Sequence, residues 1–104
     1  MSTLDYHVLL AMAGGPIHGY AVKQAVEAES AGTLMPRAGS LYRVIARLMA
    51  RGFVKETRAR SAQPHPGLAR RYYALTPAGR SALAQEAHRL KDVAALAERR
   101  LETV

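Results

Sequence analysis

The segment from Ala38 to Ala50 constrains the fold of this chain more than any other. Its larger apolar residues recur at i, i+3, i+4 and i+7, at positions Leu41, Val44, Ile45 and Leu48. At about 100° per residue these side chains fall on one face of an α-helix. The roughly opposite face then carries Ser40, Arg43 and Arg47. This pattern predicts a helix that packs through one face and leaves the other open to a partner.

Two shorter helices are predicted before this one. Ser2 is a suitable N-cap and Asp5 falls in the first turn, which predicts a first helix that stops at Gly14. A second helix is expected to run from near residue 18 to about residue 29. Gly52 suits the C′ position that ends the third helix. The first half of the chain therefore reads as three helices.

Two short strands and a long helix are predicted to follow. Residues 53–58 and 70–75 have strand composition, and the loop between them contains prolines and a glycine. Tyr73 is expected to point inward from the second strand. Thr76 followed by Pro77 is a strong helix start, and the last helix should run to about Leu101. Three helices and a two-stranded wing indicate a mainly α winged helix-turn-helix.

The last helix carries a heptad seam that favours a partner helix. The seam steps by 4, 3, 4, 3 and 4 residues through Leu83, Ala87, Leu90, Ala94, Ala97 and Leu101. One alternative is that it packs only on its own domain. With 104 residues the chain is expected to form one compact unit. Residues 1–76 would be the winged helix-turn-helix domain and 77–104 a C-terminal dimerisation helix.

The positive charge of the chain is concentrated in its middle. Ten of the 15 basic residues, but only one of the eight acids, lie between positions 37 and 80. The net charge of +7 therefore arises there. A block of one sign on a folded domain is typical of nucleic-acid binding. The alternative is a basic face that only contacts solvent.

Several other classes of protein are disfavoured. The chain has no cysteine, no apolar run of membrane-spanning length and no secretory signal, so a cytoplasmic protein is expected. It also lacks a phosphate-binding loop, a nucleophile motif and metal-ligand spacing, so neither an enzyme nor a cofactor is expected. His18 begins the second helix and is interpreted as a structural residue that caps the helix or packs beside it.

Three short motifs resemble those of a known family. They are His18-Gly19-Tyr20, Gly39-Ser40-Leu41-Tyr42 and Arg71-Tyr72-Tyr73-Ala74-Leu75-Thr76, which open the second helix, open the third helix and lead into the last one. In this order the chain resembles PadR-type transcriptional regulators of the short subtype. The resemblance implies a homodimeric repressor whose third helix and wing contact an inverted-repeat operator.

Individual residues can be assigned expected roles in such an arrangement. Side chains on the third helix reach base edges, and wing cations meet phosphates. The base-reading set is Ser40, Arg43 and Arg47. Phosphate contacts are expected from Lys23, Arg37 and Tyr42, and from the wing residues Arg58, Arg60, Arg70 and Arg71. Tyr20 fits a phosphate contact and a core position equally well. Gly39 is expected to relieve crowding at a helix N-terminus that can hold a phosphate.

Two further functions and one question of regulation stay open. A winged helix can bind an acidic protein partner, and a basic one can bind DNA without sequence preference. The family resemblance also implies a small-molecule effector near the dimer interface. However, the chain has no tryptophan and one phenylalanine. This composition argues against an aromatic stacking pocket.

Overall fold

The computed structural model describes residues 1–57 and 71–102. Four helices and three short strands are present in this part of the chain. In order they are α1 (Thr3–Ala11), β1 (Ile17–His18), α2 (Gly19–Glu29), α3 (Ala38–Ala50), β2 (Val54–Thr57), β3 (Tyr72–Leu75) and α4 (Pro77–Glu102). The predicted mainly α winged helix-turn-helix is confirmed, and α3 has the predicted bounds.

Side chains and glycines end the helices where the sequence indicates. Ser2 and Asp5 form a reciprocal capping box at the start of α1, which ends at Ala11, earlier than predicted. The Nδ1 atom of His18 accepts from the backbone N of Ala21 at 3.2 Å, which confirms its capping role. Gly52 has a φ of +79° and follows α3 as its C′ residue. Glycine adopts this left-handed conformation without the steric cost of a Cβ.

The sheet has three antiparallel strands, whereas the sequence predicted two. Their order is β1-β3-β2, with β3 in the centre. Ile17 pairs with Tyr73, and Glu56 pairs with the same tyrosine from the other side. The two-residue β1 was missed because it is too short to show an alternating pattern. Both wing strands are also shorter than predicted, since β2 begins at Val54 and β3 at Tyr72.

The core lies where α1, α2 and α3 meet the sheet. The α3 residues predicted to be buried are all in it, together with side chains from α1, α2, β2 and β3. The largest fully buried side chains are Leu9, Met12, Leu41, Ile45, Leu48, Val8, Val22 and Val26. Tyr73 is buried at 3% exposure, as predicted. The helices and the sheet thus hold α3 from one side and leave its other side accessible.

Helix α4 begins on the core and then extends away from it. Thr76 caps it, because the Thr76 Oγ1 accepts from the backbone N of Gly79 at 3.0 Å. The described residues extend over 60 Å in the longest direction, and the radius of gyration is 15.8 Å. A compact domain of this length would have a radius near 13 Å. None of the described helices is long and apolar enough to cross a membrane.

Candidate nucleic-acid interface

The face of α3 that points away from the core carries polar and basic side chains in its N-terminal half. Arg43 is exposed, and its Nη2 donates to the Ser40 hydroxyl at 3.4 Å. Arg37 occupies the N-cap position and is also exposed, without a side-chain capping bond. Three of the predicted contact residues are thus brought together at the N-terminal half of the helix. The two arginines are exposed and Ser40 is half-buried.

Arg47 occupies a different environment from Arg43. Its Nη2 donates to the Oδ1 of Asp5, a buried residue on α1. The two residues are 42 positions apart, and no local rule predicts the pair. Arg47 was predicted to lie on the open face of α3. It lies instead at the edge of that face, where its side chain contacts α1. Its side chain is 52% exposed, so part of the side chain remains accessible.

Gly39 lies in open space, so the prediction that it relieves crowding is wrong. A Cβ built on Gly39 would meet nothing within 4 Å. The crowded glycine is Gly19, whose Cβ would lie 2.4 Å from the hydroxyl oxygen of Tyr42. The Tyr42 ring thus packs over the start of α2 and is 47% exposed. The motif that opens α2 therefore needs a glycine at position 19, because the Tyr42 side chain from the motif that opens α3 occupies the space of a Cβ.

The N-terminal half of α2 presents one exposed ring and one paired cation. Tyr20 is 64% exposed, so its position is on the surface and not in the core. The Lys23 Nζ donates to the Oε1 of Glu27 at 2.6 Å. Because Lys23 and Glu27 are four positions apart, the i,i+4 rule could have predicted this ion pair. A phosphate contact by Lys23 has to compete with this carboxylate.

The base of the wing carries a looser ion pair beside a cleft. Arg71 Nε lies 3.7 Å from Glu56 Oε1, and both side chains are largely exposed. Burial and the nearby Glu56 carboxylate raise the pKa of Tyr73 above its ordinary value of 10.0. A cleft of about 420 Å³ separates these strands from α3, with Tyr42 and Met49 on its helical side. The predicted contacts Arg58, Arg60 and Arg70 lie outside the described residues.

The predicted seam of α4 divides into two parts. Leu83 packs against the core of its own domain and Ala87 is half-buried. Beyond them, the seam residues are exposed on a helix that extends away from the core, namely Leu90, Ala94, Ala97 and Leu101. Val93 and Leu96 add to this exposed apolar surface. The described residues contain no cluster of three or more histidine, aspartate or glutamate side chains able to hold a metal ion.

Comparison with known protein families identifies the family of this chain. Residues 8–85 match the transcriptional regulator PadR-like family. The chain belongs to the PadR-like family of transcriptional regulators. The match runs from the second half of α1 through α2, α3 and the sheet to the first part of α4, so it includes every motif on which the resemblance rested. PadR-like proteins are regulators of transcription, which agrees with the expectation that the chain is not an enzyme.

Individual relatives share either sequence or fold with the chain. An uncharacterised 37.1 kDa protein of a Streptomyces fradiae transposon is 44% identical over 81 residues, but these cover only 21% of its length. A PadR family regulator from Clostridium difficile has a TM-score of 0.78 at 17% identity, covering 96% of this chain and 99% of its own. Bacillus subtilis PadR in complex with operator DNA has a TM-score of 0.67 at 20% identity, covering 81% and 46%.

Proposed function

We propose that this PadR-like protein is a homodimeric repressor that reads an inverted-repeat operator. In this proposal α3 enters the major groove, and the wing follows the adjacent backbone. The observation that carries it is the exposed face of α3, where Arg37, Ser40 and Arg43 lie together opposite the core-packed face. Bacillus subtilis PadR, a protein of similar fold, forms a complex with operator DNA, which supports DNA as the ligand of this chain.

Base recognition is assigned to α3, and phosphate binding to the residues around it. An arginine can bond guanine O6 and N7 together, and such a pair is worth roughly 1–3 kcal/mol of discrimination. Arg43 has the exposure that this contact requires. Tyr20, Arg37, Tyr42 and Arg71 are exposed around it and are assigned to phosphates. The backbone N–H groups at the start of α3 can add a phosphate contact, and the space around the Cβ position of Gly39 is open.

Dimerisation is assigned to the exposed part of α4. The 26-residue helix is about 39 Å long, and only its first turns rest on the core. Leu90 and Leu101 continue the apolar seam beyond the core and are exposed in the single chain. A second α4 packed on this seam would bury them. The two α3 helices would then lie about 34 Å apart and face successive major grooves.

A titration of DNA binding against salt tests the proposal. The readout is fluorescence anisotropy of a labelled duplex at several salt concentrations. A protein that neutralises several phosphates loses affinity steeply as salt rises, with a log–log slope of about −0.9 for each contact. We expect a slope that corresponds to several phosphates for each dimer. Binding that ignores salt, or no binding to any duplex, would contradict the proposal and favour an acidic protein partner.

A further inference from the structure

The ion pair between Asp5 and Arg47 joins a buried carboxylate to a half-exposed arginine side chain. The Asp5 side chain is 6% exposed, whereas that of Arg47 is 52% exposed. Asp5 Oδ1 accepts from Arg47 Nη2, and Oδ2 accepts from the backbone N of Ser2 at 3.3 Å. The carboxylate is therefore fixed on both sides by α1 and α3. The Arg47 side chain that it holds is still half exposed to solvent.

Arg47 and Arg43 are consequently held with different strength. Hydrogen bonds between two charged groups are stronger than those to a neutral hydroxyl. Arg43 has a long bond to the neutral Ser40 hydroxyl, whereas Arg47 is bonded to a buried carboxylate. A side chain that is already ordered loses less conformational freedom when it binds a ligand. Arg47 is thus the more pre-organised of the two arginines on α3.

The pair also changes what Arg47 contributes to DNA binding. Its charge is balanced by Asp5, so it adds little to the general attraction for phosphates. A guanidinium has five N–H donors, and the bond to Asp5 leaves others available to a base edge. Such a group would favour the matching base without raising the affinity for all DNA. Its contribution is therefore to specificity.

We propose that Asp5 is a positioning residue that orients Arg47 toward a guanine edge in the operator. This inference rests on the proposed function, since it requires α3 to enter the major groove. Asp5 does not touch the DNA itself, and it acts only through the arginine. The ligand chemistry is the O6 and N7 acceptor pair of guanine, which a fixed guanidinium matches.

The test compares Asp5→Asn with the wild type on a selected operator and on scrambled duplex. Asparagine keeps an acceptor for Ser2 but removes the charge that holds Arg47. We expect the affinity ratio between operator and scrambled DNA to fall about tenfold, with relaxed preference at one guanine in each half-site. The affinity for scrambled DNA should stay equal or rise, because a negative charge is lost.

A second variant and a matched control separate positioning from folding. Asp5→Glu keeps the capping box, whose usual residue at this position is glutamate, but it displaces the carboxylate by one methylene. It should therefore fold and still lose operator preference. Glu27→Gln removes the carboxylate that pairs with Lys23 on α2. Because Lys23 is assigned to a phosphate, this control should change the two affinities alike.

The outcomes distinguish this inference from the proposed function. If Asp5→Asn changes operator and scrambled affinities by the same factor and keeps the base preference, Asp5 has only a structural role and the inference is overturned. In an Arg47→Met background, Asp5→Asn should not lower specificity further, and an additional loss would also overturn it. If the wild type itself does not discriminate between the two DNAs, the proposed function fails first.

Discussion

Replacing Gly79 with alanine is expected to destabilise the junction between α4 and the sheet. Gly79 is the third residue of α4, and a Cβ at this position would lie 1.9 Å from the carbonyl oxygen of Phe53. Cβ contacts under 3.0 Å essentially do not occur in proteins. The Phe53 carbonyl belongs to the backbone and already accepts from the backbone N of Thr76 at 3.1 Å. It cannot rotate away, so α4 has to move by roughly 1 Å.

The size of this effect follows from the contacts that such a movement breaks. Two hydrogen bonds of Thr76 are affected. Its backbone N donates to the Phe53 carbonyl, and its hydroxyl donates to the Gly52 carbonyl at 2.5 Å. Each lost hydrogen bond costs about 1 kcal/mol, and overpacking adds about 1–3 kcal/mol. The better helix propensity of alanine offsets up to about 1 kcal/mol. We expect a net loss of about 3 kcal/mol, which lowers Tm by roughly 12–24 °C.

Urea unfolding followed by circular dichroism measures this difference, and Gly39→Ala is the matched control. Gly39 is also near the start of a helix, but no atom lies within 4 Å of its Cβ position. Alanine there should leave the stability unchanged or raise it by up to about 1 kcal/mol. Stability of Gly79→Ala within about 0.5 kcal/mol of the wild type would refute the reasoning.

Three further predictions concern the surface and the wing. Leu90→Glu should give monomers in sedimentation velocity and weaken operator binding, whereas the exposed Gln85→Glu should stay dimeric, and a dimeric Leu90→Glu would exclude the α4 seam. Arg71→Ala should reduce the salt slope of DNA binding by about one for each protomer, or about two for the dimer, without altering base preference, whereas an unchanged slope would remove it from the phosphate contacts. A pH titration of absorbance, compared with Tyr73→Phe, should show the Tyr73 phenol ionising above its ordinary pKa of 10.0. Because the pKa of Tyr73 is raised in the folded protein, the stability linked to this group is present below its unfolded pKa. That stability is lost as pH rises through the folded pKa. A Tyr73 titration at 10.0 or below would contradict this prediction.

The sequence allowed the helices to be predicted well, because their signals are local. The bounds of α3 follow from four apolar residues at helical spacing and from Gly52, whose positive φ completes the helix end. The start of α4 follows from Thr76 and Pro77 in the same way. Each of these signals lies within about four residues of the structure that it specifies.

Features that depend on distant contacts could not be predicted. Strand β1 exists because Ile17 and His18 pair with β3, and two residues carry no pattern of their own. The space that Gly19 leaves for the Tyr42 ring requires knowledge of how α2 and α3 pack. For the same reason the burial of Asp5 under Arg47 was missed. The candidate interface was therefore predicted by residue type and face, but not by its internal contacts.

Selection of bound sequences from a random DNA pool tests the central claim most directly. The wild type and Arg43→Ala would be selected side by side, and the recovered sequences compared position by position. We expect the wild type to enrich an inverted repeat whose half-sites lie about 10 base pairs apart, centre to centre. Arg43→Ala should lose preference at one symmetric position in each half-site. Recovery of no motif would contradict base reading by α3, and recovery of the same motif with Arg43→Ala would contradict base reading by Arg43.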